Sequence, residues 1–196
     1  MLTEEVSTRF FFFSESKEEI KKNSFTLLYN CLIVVCCEVK QRMNVLKANL
    51  SFISLNTRGL KDNVKRKALF LFCKDQKAHC VFLQETHSCA SDTTFWTSQW
   101  GDKVLFSHGT NKSAGVAICF NKCPGNVITQ KADENGHWLA VVLNIEGSLV
   151  ILINIYGYSS LNQNKRMLSE ISDIVDEYRN VYSTNLILFG GDFNFF

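Results

Sequence analysis

From residue 50 onward, short runs of β-branched and aromatic residues alternate with stretches of helical spacing. "LSFISL" (50–55) alternates and is rich in β-formers, so it predicts a strand. Residues 62–76 set Val64, Ala68, Leu71 and Phe72 at helical spacing. "CVFLQE" (80–85) is a continuous apolar run and predicts a second, buried strand. Strand, helix, strand with short links predicts a parallel pair joined by a crossover. A short helix is predicted over 92–99, then strands over 103–107, 114–120, 126–131, 137–145 and 148–156. The links "NKSAG", "NKCPG", "DENG" and "EG" carry turn chemistry and are short enough only for antiparallel neighbours. A long amphipathic helix follows, with Met167, Ile171, Ile174, Val175, Tyr178 and Tyr182 on one face, and then a last strand, "LILF" (186–189). The pattern predicts an α/β fold: a mixed sheet with helices packed on one side.

Residues 1–49 do not share this order. Four Phe (10–13) precede the charge cluster "ESKEEIKK" (15–22) and the apolar run "FTLLYNCLIVVCC" (25–37). That run falls short of the roughly 20 apolar residues that span a bilayer, and its lead is acidic and mixed rather than basic. The stretch reads as a poorly ordered extension before a domain at 50–196, with a weak anchor or signal segment as the alternative and no stable membrane association expected. A chain of 196 residues, 46% hydrophobic and 20% charged, suits one globular domain. A net charge of +2 neither demands nor excludes a nucleic-acid partner. The eight Cys include no CxxC pair, so they read as reduced thiols packed as small apolar side chains in a nuclear or cytoplasmic protein.

Polar residues gather at the ends of the buried strands: Asn56 in "SLNTRGL", Glu85 in "LQETH", Tyr156 in "INIYG", and Asp192 and Asn194 in "GGDFN". Where such strands are neighbours, their C-terminal ends converge on one rim. One carboxylate with an amide and water makes a hard-oxygen site suited to Mg²⁺. A second carboxylate can hold or deprotonate an attacking water, and Asn and Tyr can hydrogen-bond phosphate oxygens. Gly190 and Gly191 remove bulk where backbones come close. Together the set favours metal-assisted hydrolysis of a phosphodiester. Each residue has a plainer reading: Asn56 as a turn former beside Gly59, Glu85 as a solvated strand end, Tyr156 as a rim aromatic, "GGDFN" as a loop.

The segments "SLNTRGL", "LQETH", "SAGVAICF", "GHWLAV", "LINIYG" and "LILFGGDFN", in this order over 50–196, resemble the endonuclease/exonuclease/phosphatase superfamily with its DNase I-like α/β sandwich. More closely, they resemble the endonuclease domain of LINE-type, non-LTR retrotransposons. The resemblance implies two mixed, mostly antiparallel sheets flanked by helices. It implies Glu85 as the main Mg²⁺ ligand (Mn²⁺ the alternative), with Asn56 beside metal and phosphate. It implies that Tyr156 contacts the phosphate, that Asp192 orients or activates the water, and that Asn194 holds phosphate or water. The implied reaction is nicking of one DNA strand to leave a 3′-hydroxyl. Arg58 and Lys61 are the candidate DNA contacts, followed by Lys65, Arg66 and Lys67, although such a charge run is commonly the solvated face of a helix.

The chain departs from the family in two places. "YGYSS" lacks the usual Pro after the tyrosine. The later Asp and the final Asp-His pair of the family do not appear by Phe196. The expectation is therefore a C-terminally truncated domain, its second sheet largely missing, its inner apolar face open and prone to association, and its nicking weak or absent. None of His79, His87, His108 and His137 is expected to replace the missing His; His87, close to Glu85 along a strand, should point away from it. The rival readings are a phosphoesterase of the same superfamily acting on a small phosphate ester, and a non-catalytic DNA-binding remnant.

Overall fold

The computed structural model describes residues 35–37 and 50–194. Residues 1–34, 38–49 and 195–196 lie outside it, and with them most of the stretch read above as an extension. Of that stretch, strand β1 (Val35–Cys37) is described, paired antiparallel with β2 (Phe52–Asn56). Then come α1 (Asn63–Asp75), β3 (Cys80–Gln84), a 3₁₀ turn (Ala90–Asp92) leading into α2 (Thr93–Trp100), β4 (Val104–Ser107) and β5 (Val116–Phe120). The remainder is β6 (Gly125–Ala132), β7 (Trp138–Ile145), β8 (Ser148–Tyr156), α3 (Leu161–Tyr182) and β9 (Ile187–Asp192).

These strands form two sheets, ordered β1-β2-β3-β5-β4 and β6-β7-β8-β9. β2–β3 and β8–β9 are parallel pairs, each joined through a helix, and the other pairings are antiparallel. The single mixed sheet that the residue pattern predicts is therefore two, as the family resemblance implies. The reason is the link between β5 and β6. "NKCPG" was expected to make a hairpin, but it carries the chain from one sheet to the other, so β5 and β6 never pair. The expectation that the second sheet is largely missing is corrected in the same way: four strands form it.

The sheets pack face to face. Phe52, Cys80, Phe82, Val116 and Ile118 of the first meet Leu139, Val141, Leu143, Val150 and Leu152 of the second. This closes the inner face that was expected to lie open, with Leu105 of β4, Val127 of β6 and Leu188 of β9 left half-buried along it. The outer faces carry the helices, α1 and α2 on the first sheet and α3 on the second. Helices thus lie on both sides of the sandwich, which explains why β3, β5, β7 and β8 read as continuous apolar runs: both of their faces are covered.

α3 buries Met167, Ile171, Ile174, Val175 and Tyr178 as its spacing predicts. α1 does not follow its prediction. Val64 and Leu71 are exposed, and the inward face is Arg66, Leu69, Phe70 and Cys73. Arg66 is buried because its guanidinium donates to the Leu60 carbonyl, Gln99 Oε1 and Asn63 Oδ1 at 2.7–2.8 Å and lies over the Trp96 ring. Its charge thus serves the fold, not the solvated DNA-facing row in which the sequence reading placed it. Among the described residues no helix is long and apolar enough to cross a membrane.

Candidate active site

The two parallel pairs point their C-terminal ends the same way, β2 and β3 from the first sheet and β8 and β9 from the second. A buried amide clasp sets their spacing. Gln84 Nε2, on the last residue of β3, donates to Asn154 Oδ1 at 2.7 Å and to Ser54 Oγ at 3.1 Å. Asn154 Nδ2, on β8, donates back across the sheets to the carbonyls of Ala117 (2.9 Å) and Leu83 (3.1 Å). Both side chains are fully buried. The clasp lies one residue before Glu85 and two before Tyr156, so it fixes how far apart those two stand.

Close packing completes the approach. A Cβ at Gly190 would stand 2.0 Å from Phe82 Cδ2, so glycine there lets β9 sit directly on the β3 ring. This is the bulk-free contact that "GG" predicts. β9 runs on through both glycines to Asp192, which pairs with Tyr156 as a strand residue rather than lying in a loop. At the rim the backbone turns sharply: Glu85 (φ 50°), Arg58 (φ 46°) and Asn194 (φ 47°) all occupy the left-handed region, which is uncommon for non-glycine residues.

Four of the five expected site residues meet there. Asn56 Nδ2 donates to Glu85 Oε1 at 2.9 Å and to Asp192 Oδ2 at 2.7 Å, using one amide to bridge two carboxylates. Tyr156 Oη donates to the same Glu85 Oε1 at 2.8 Å. Asn56 Oδ1 is held in turn by the Arg58 N–H at 3.0 Å, which orients the amide. Asn194 joins through its backbone, its N–H on Asp192 Oδ1 at 3.3 Å, while its side-chain amide reaches back to the Gly157 carbonyl at 3.5 Å. Burial, the hydrogen bond to Glu85 and the charges of Glu85 and Asp192 all push the Tyr156 phenol well above its ordinary pKa. The group therefore stays a donor throughout the neutral range.

The candidate DNA contacts differ. Arg58 is exposed at the rim, and its guanidinium is unpaired among the described residues. Lys61 is engaged by Asp92 at 2.5 Å and lies over Trp96. No His hydrogen-bonds a side chain of the cluster. The His137 ring stacks on Tyr156 and Tyr158, and Nδ1 donates to the Tyr156 carbonyl at 2.7 Å, while His87 feels the Glu85 charge. His108 is held by Ser88 and Thr93, and His79 by Ser51. His87 is not governed by strand alternation, because β3 ends at Gln84 and both Glu85 and His87 turn left-handed. Its ring packs on Gly59, where a Cβ would stand 2.7 Å from Nδ1. Burial holds the His87 and His137 imidazoles below their ordinary pKa.

Comparison with known proteins places this architecture. No protein-family profile matches the chain. The structure of TDP2 from Caenorhabditis elegans superposes with a TM-score of 0.59 at 22% identity, over 79% of this chain and 52% of that one. Zebrafish (D. rerio) TDP2 complexed with a single-strand DNA product gives 0.53 at 18% identity, over 75% and 61%. The mannosyl-6-phosphatase of Bacteroides thetaiotaomicron gives 0.57 at 11% identity, over 74% and 65%. The chain has the DNase I-like α/β fold. In sequence it is 26% identical over 147 residues to the uncharacterized 149 kDa protein of transposon TX1 from Xenopus laevis, a match covering 74% of this chain and 11% of that protein. The chain thus spans about half the length of the C. elegans TDP2 structure and a small part of the transposon protein.

Proposed function

We propose that this chain carries the metal-holding part of a phosphodiesterase site that nicks DNA, of the kind found in the endonuclease domain of LINE-type retrotransposons. The observation that carries the reading is the Asn56 amide bridging Glu85 and Asp192, with Tyr156 on the same Glu85 oxygen. The likeness to the transposon protein and to DNA-bound TDP2 supports DNA over other esters. The mannosyl-6-phosphatase supports the rival, a small phosphate ester, since its likeness to this fold is of similar strength.

The donor set fits Mg²⁺, with Mn²⁺ the alternative. Both hydrogen bonds to Glu85 end on Oε1, and among the described residues none is made to Oε2, which leaves a hard carboxylate oxygen for an ion. No three His, Cys, Asp or Glu cluster as a metal cage among the described residues. Mg²⁺ asks for less: one or two carboxylates, with waters and phosphate completing the shell. Glu85, with Asn56 beside it, would hold the ion, and the chemistry it supplies when bound is positive charge against the phosphate oxygens. Asp192 orients the attacking water and takes its proton, its other oxygen being held by Asn56. Tyr156 stays protonated, fixes Glu85 and meets the phosphate at the rim. Asn194 closes the water side, and Arg58 neutralises a flanking DNA phosphate.

The test is relaxation of supercoiled plasmid by the 196-residue chain with Mg²⁺ and with EDTA. Nicking is expected to be slow, because no His among the described residues reaches the cluster. What activity there is should need the metal and fall at least ~10-fold in Glu85→Gln and Asp192→Asn. A second readout does not depend on turnover: Mg²⁺ should raise the melting temperature of the wild type and not of Glu85→Gln. Fast nicking untouched by Glu85→Gln, or an equal Mg²⁺ shift in both proteins, would sink the reading. Faster release of phosphate from sugar phosphates than nicking of DNA would favour the rival.

A further inference from the structure

At the end of β3 opposite Glu85, Cys80 Sγ lies 3.9 Å from Cys123 Sγ. Cys80 opens the strand and is fully buried on the inner face of the first sheet. Cys123 is half-buried in "NKCPG", the link that carries the chain between the sheets. By strand rise the pair stands about 16 Å from the carboxylates, so it belongs to different machinery. Of the other described thiols, Cys73 and Cys119 lie near each other under the helices on the opposite face of the sheet, both buried from solvent, and Cys89 Sγ donates a hydrogen bond to Asn111 Oδ1.

We propose that Cys80 and Cys123 form a thiol–disulfide exchange site for low-molecular-weight disulfides of the glutathione class, with Cys123 as the attacking thiol and Cys80 as the resolving one. The division of roles follows from burial. Only Cys123 is open to a reagent, and only Cys80 is in contact with it from behind. Cys123 is also the better nucleophile. The Cys80 thiol donating to it, aided by the Gly125 N–H, outweighs burial and the Asp102 carboxylate and brings it to about 7. Burial and the same contact hold the Cys80 thiol well above its ordinary value, so Cys80 waits until an adjacent disulfide accepts its attack.

The steps balance. The Cys123 thiolate attacks one sulfur of the small disulfide; that S–S bond breaks, a mixed disulfide forms, and the leaving thiolate takes a proton. Cys80, giving its proton to solvent, then attacks Cys123 Sγ and expels the second small thiol. Two protein thiols lose two electrons, and the small disulfide becomes two thiols. The sulfurs must close from 3.9 Å to about 2.05 Å, a movement that the link side of the pair supplies. The product bond staples the central strand of the first sheet to the crossover into the second.

The full chain is incubated with oxidised glutathione at neutral pH, alkylated, and digested with trypsin and a Glu-specific protease. Cleavage after Lys77, Glu85, Lys122 and Lys131 isolates Cys80 in 78–85 and Cys123 in 123–131, free of Cys89. The expected product is 78–85 joined to 123–131, two hydrogens lighter than the sum, as the dominant crosslink, released by dithiothreitol. In Cys80→Ala the reaction should stop at glutathione bound to Cys123. Crosslinks scattered over the eight cysteines, or glutathione on Cys123 of the wild type with no joined peptide, would overturn the proposal. The wild-type map decides the matter even where Cys80→Ala does not fold.

Discussion

The phenol of Tyr156 donates to Glu85 across 2.8 Å, and burial with that carboxylate raises its pKa above the ordinary 10.0. A raised phenol stabilises the fold only while it remains protonated in both states. The contribution is complete below about pH 10, where the unfolded phenol is also neutral, and is lost as pH climbs from there towards the folded value. Wild type is therefore expected to lose more stability between pH 9 and 11 than Tyr156→Phe does, by about 1 kcal/mol in urea unfolding. At neutral pH, Tyr156→Phe should cost about 2 kcal/mol for the lost bond to a charged acceptor. Equal losses in the two proteins between pH 9 and 11 would show that the phenol is not desolvated. This residue, like Asn56, Glu85 and Asp192, was legible because it is a polar break at the end of an apolar run. Gln84 and Asn154 were not: inside such runs a polar residue looks like ordinary alternation. Their worth appears only once it is known that β3 and β8 face each other across the sandwich.

Element existence and order were legible from residue 50 on, and helix faces only in part. α3 carries its apolar stripe openly, whereas α1 turns an arginine inward, and a rule that puts charge outside necessarily rotates such a helix the wrong way. The split into two sheets, which the family resemblance implies, was hidden from the residue pattern for a similar reason. A four-residue link reads as a hairpin wherever both flanking strands are apolar, and only the pairing shows that it changes sheets. "GG" in β9 was readable as a place of close approach, and the structure supplies the partner, Phe82. Gly190→Ala is expected to destabilise by about 2–3 kcal/mol through overpacking. Adding Phe82→Leu should recover about 1 kcal/mol relative to the sum of the two single changes, because the clash and its cause are then removed together. Urea midpoints of the four proteins measure this coupling, and simple additivity would mean that β9 does not rest on that ring.

At the scale of the whole molecule, two sheets each contribute half of one candidate site: Asn56 and Glu85 stand on the first, Tyr156 and Asp192 on the second. Apolar packing alone holds sheets together without fixing their register finely, whereas hydrogen bonds between buried amides have narrow geometry. The Gln84–Asn154 clasp is the feature that converts a packed interface into an aligned one. Asn154→Leu keeps the volume roughly, but it removes the amide bonds to the carbonyls of Leu83 and Ala117 and leaves the Gln84 amide with Ser54 Oγ alone. The expected cost is about 3 kcal/mol, since each unpaired buried group is charged its desolvation. The sheets should also lose alignment at the rim next to the substitution. The Mg²⁺-induced rise in melting temperature is then expected to shrink in Asn154→Leu, although the side chain touches neither carboxylate. Ile171→Ala lowers stability from the α3 face of the second sheet, away from the clasp, so it serves as the control. If the two variants keep the same Mg²⁺ response at matched stability, the clasp only stabilises the fold; if Asn154→Leu alone loses it, the clasp sets the geometry of the site.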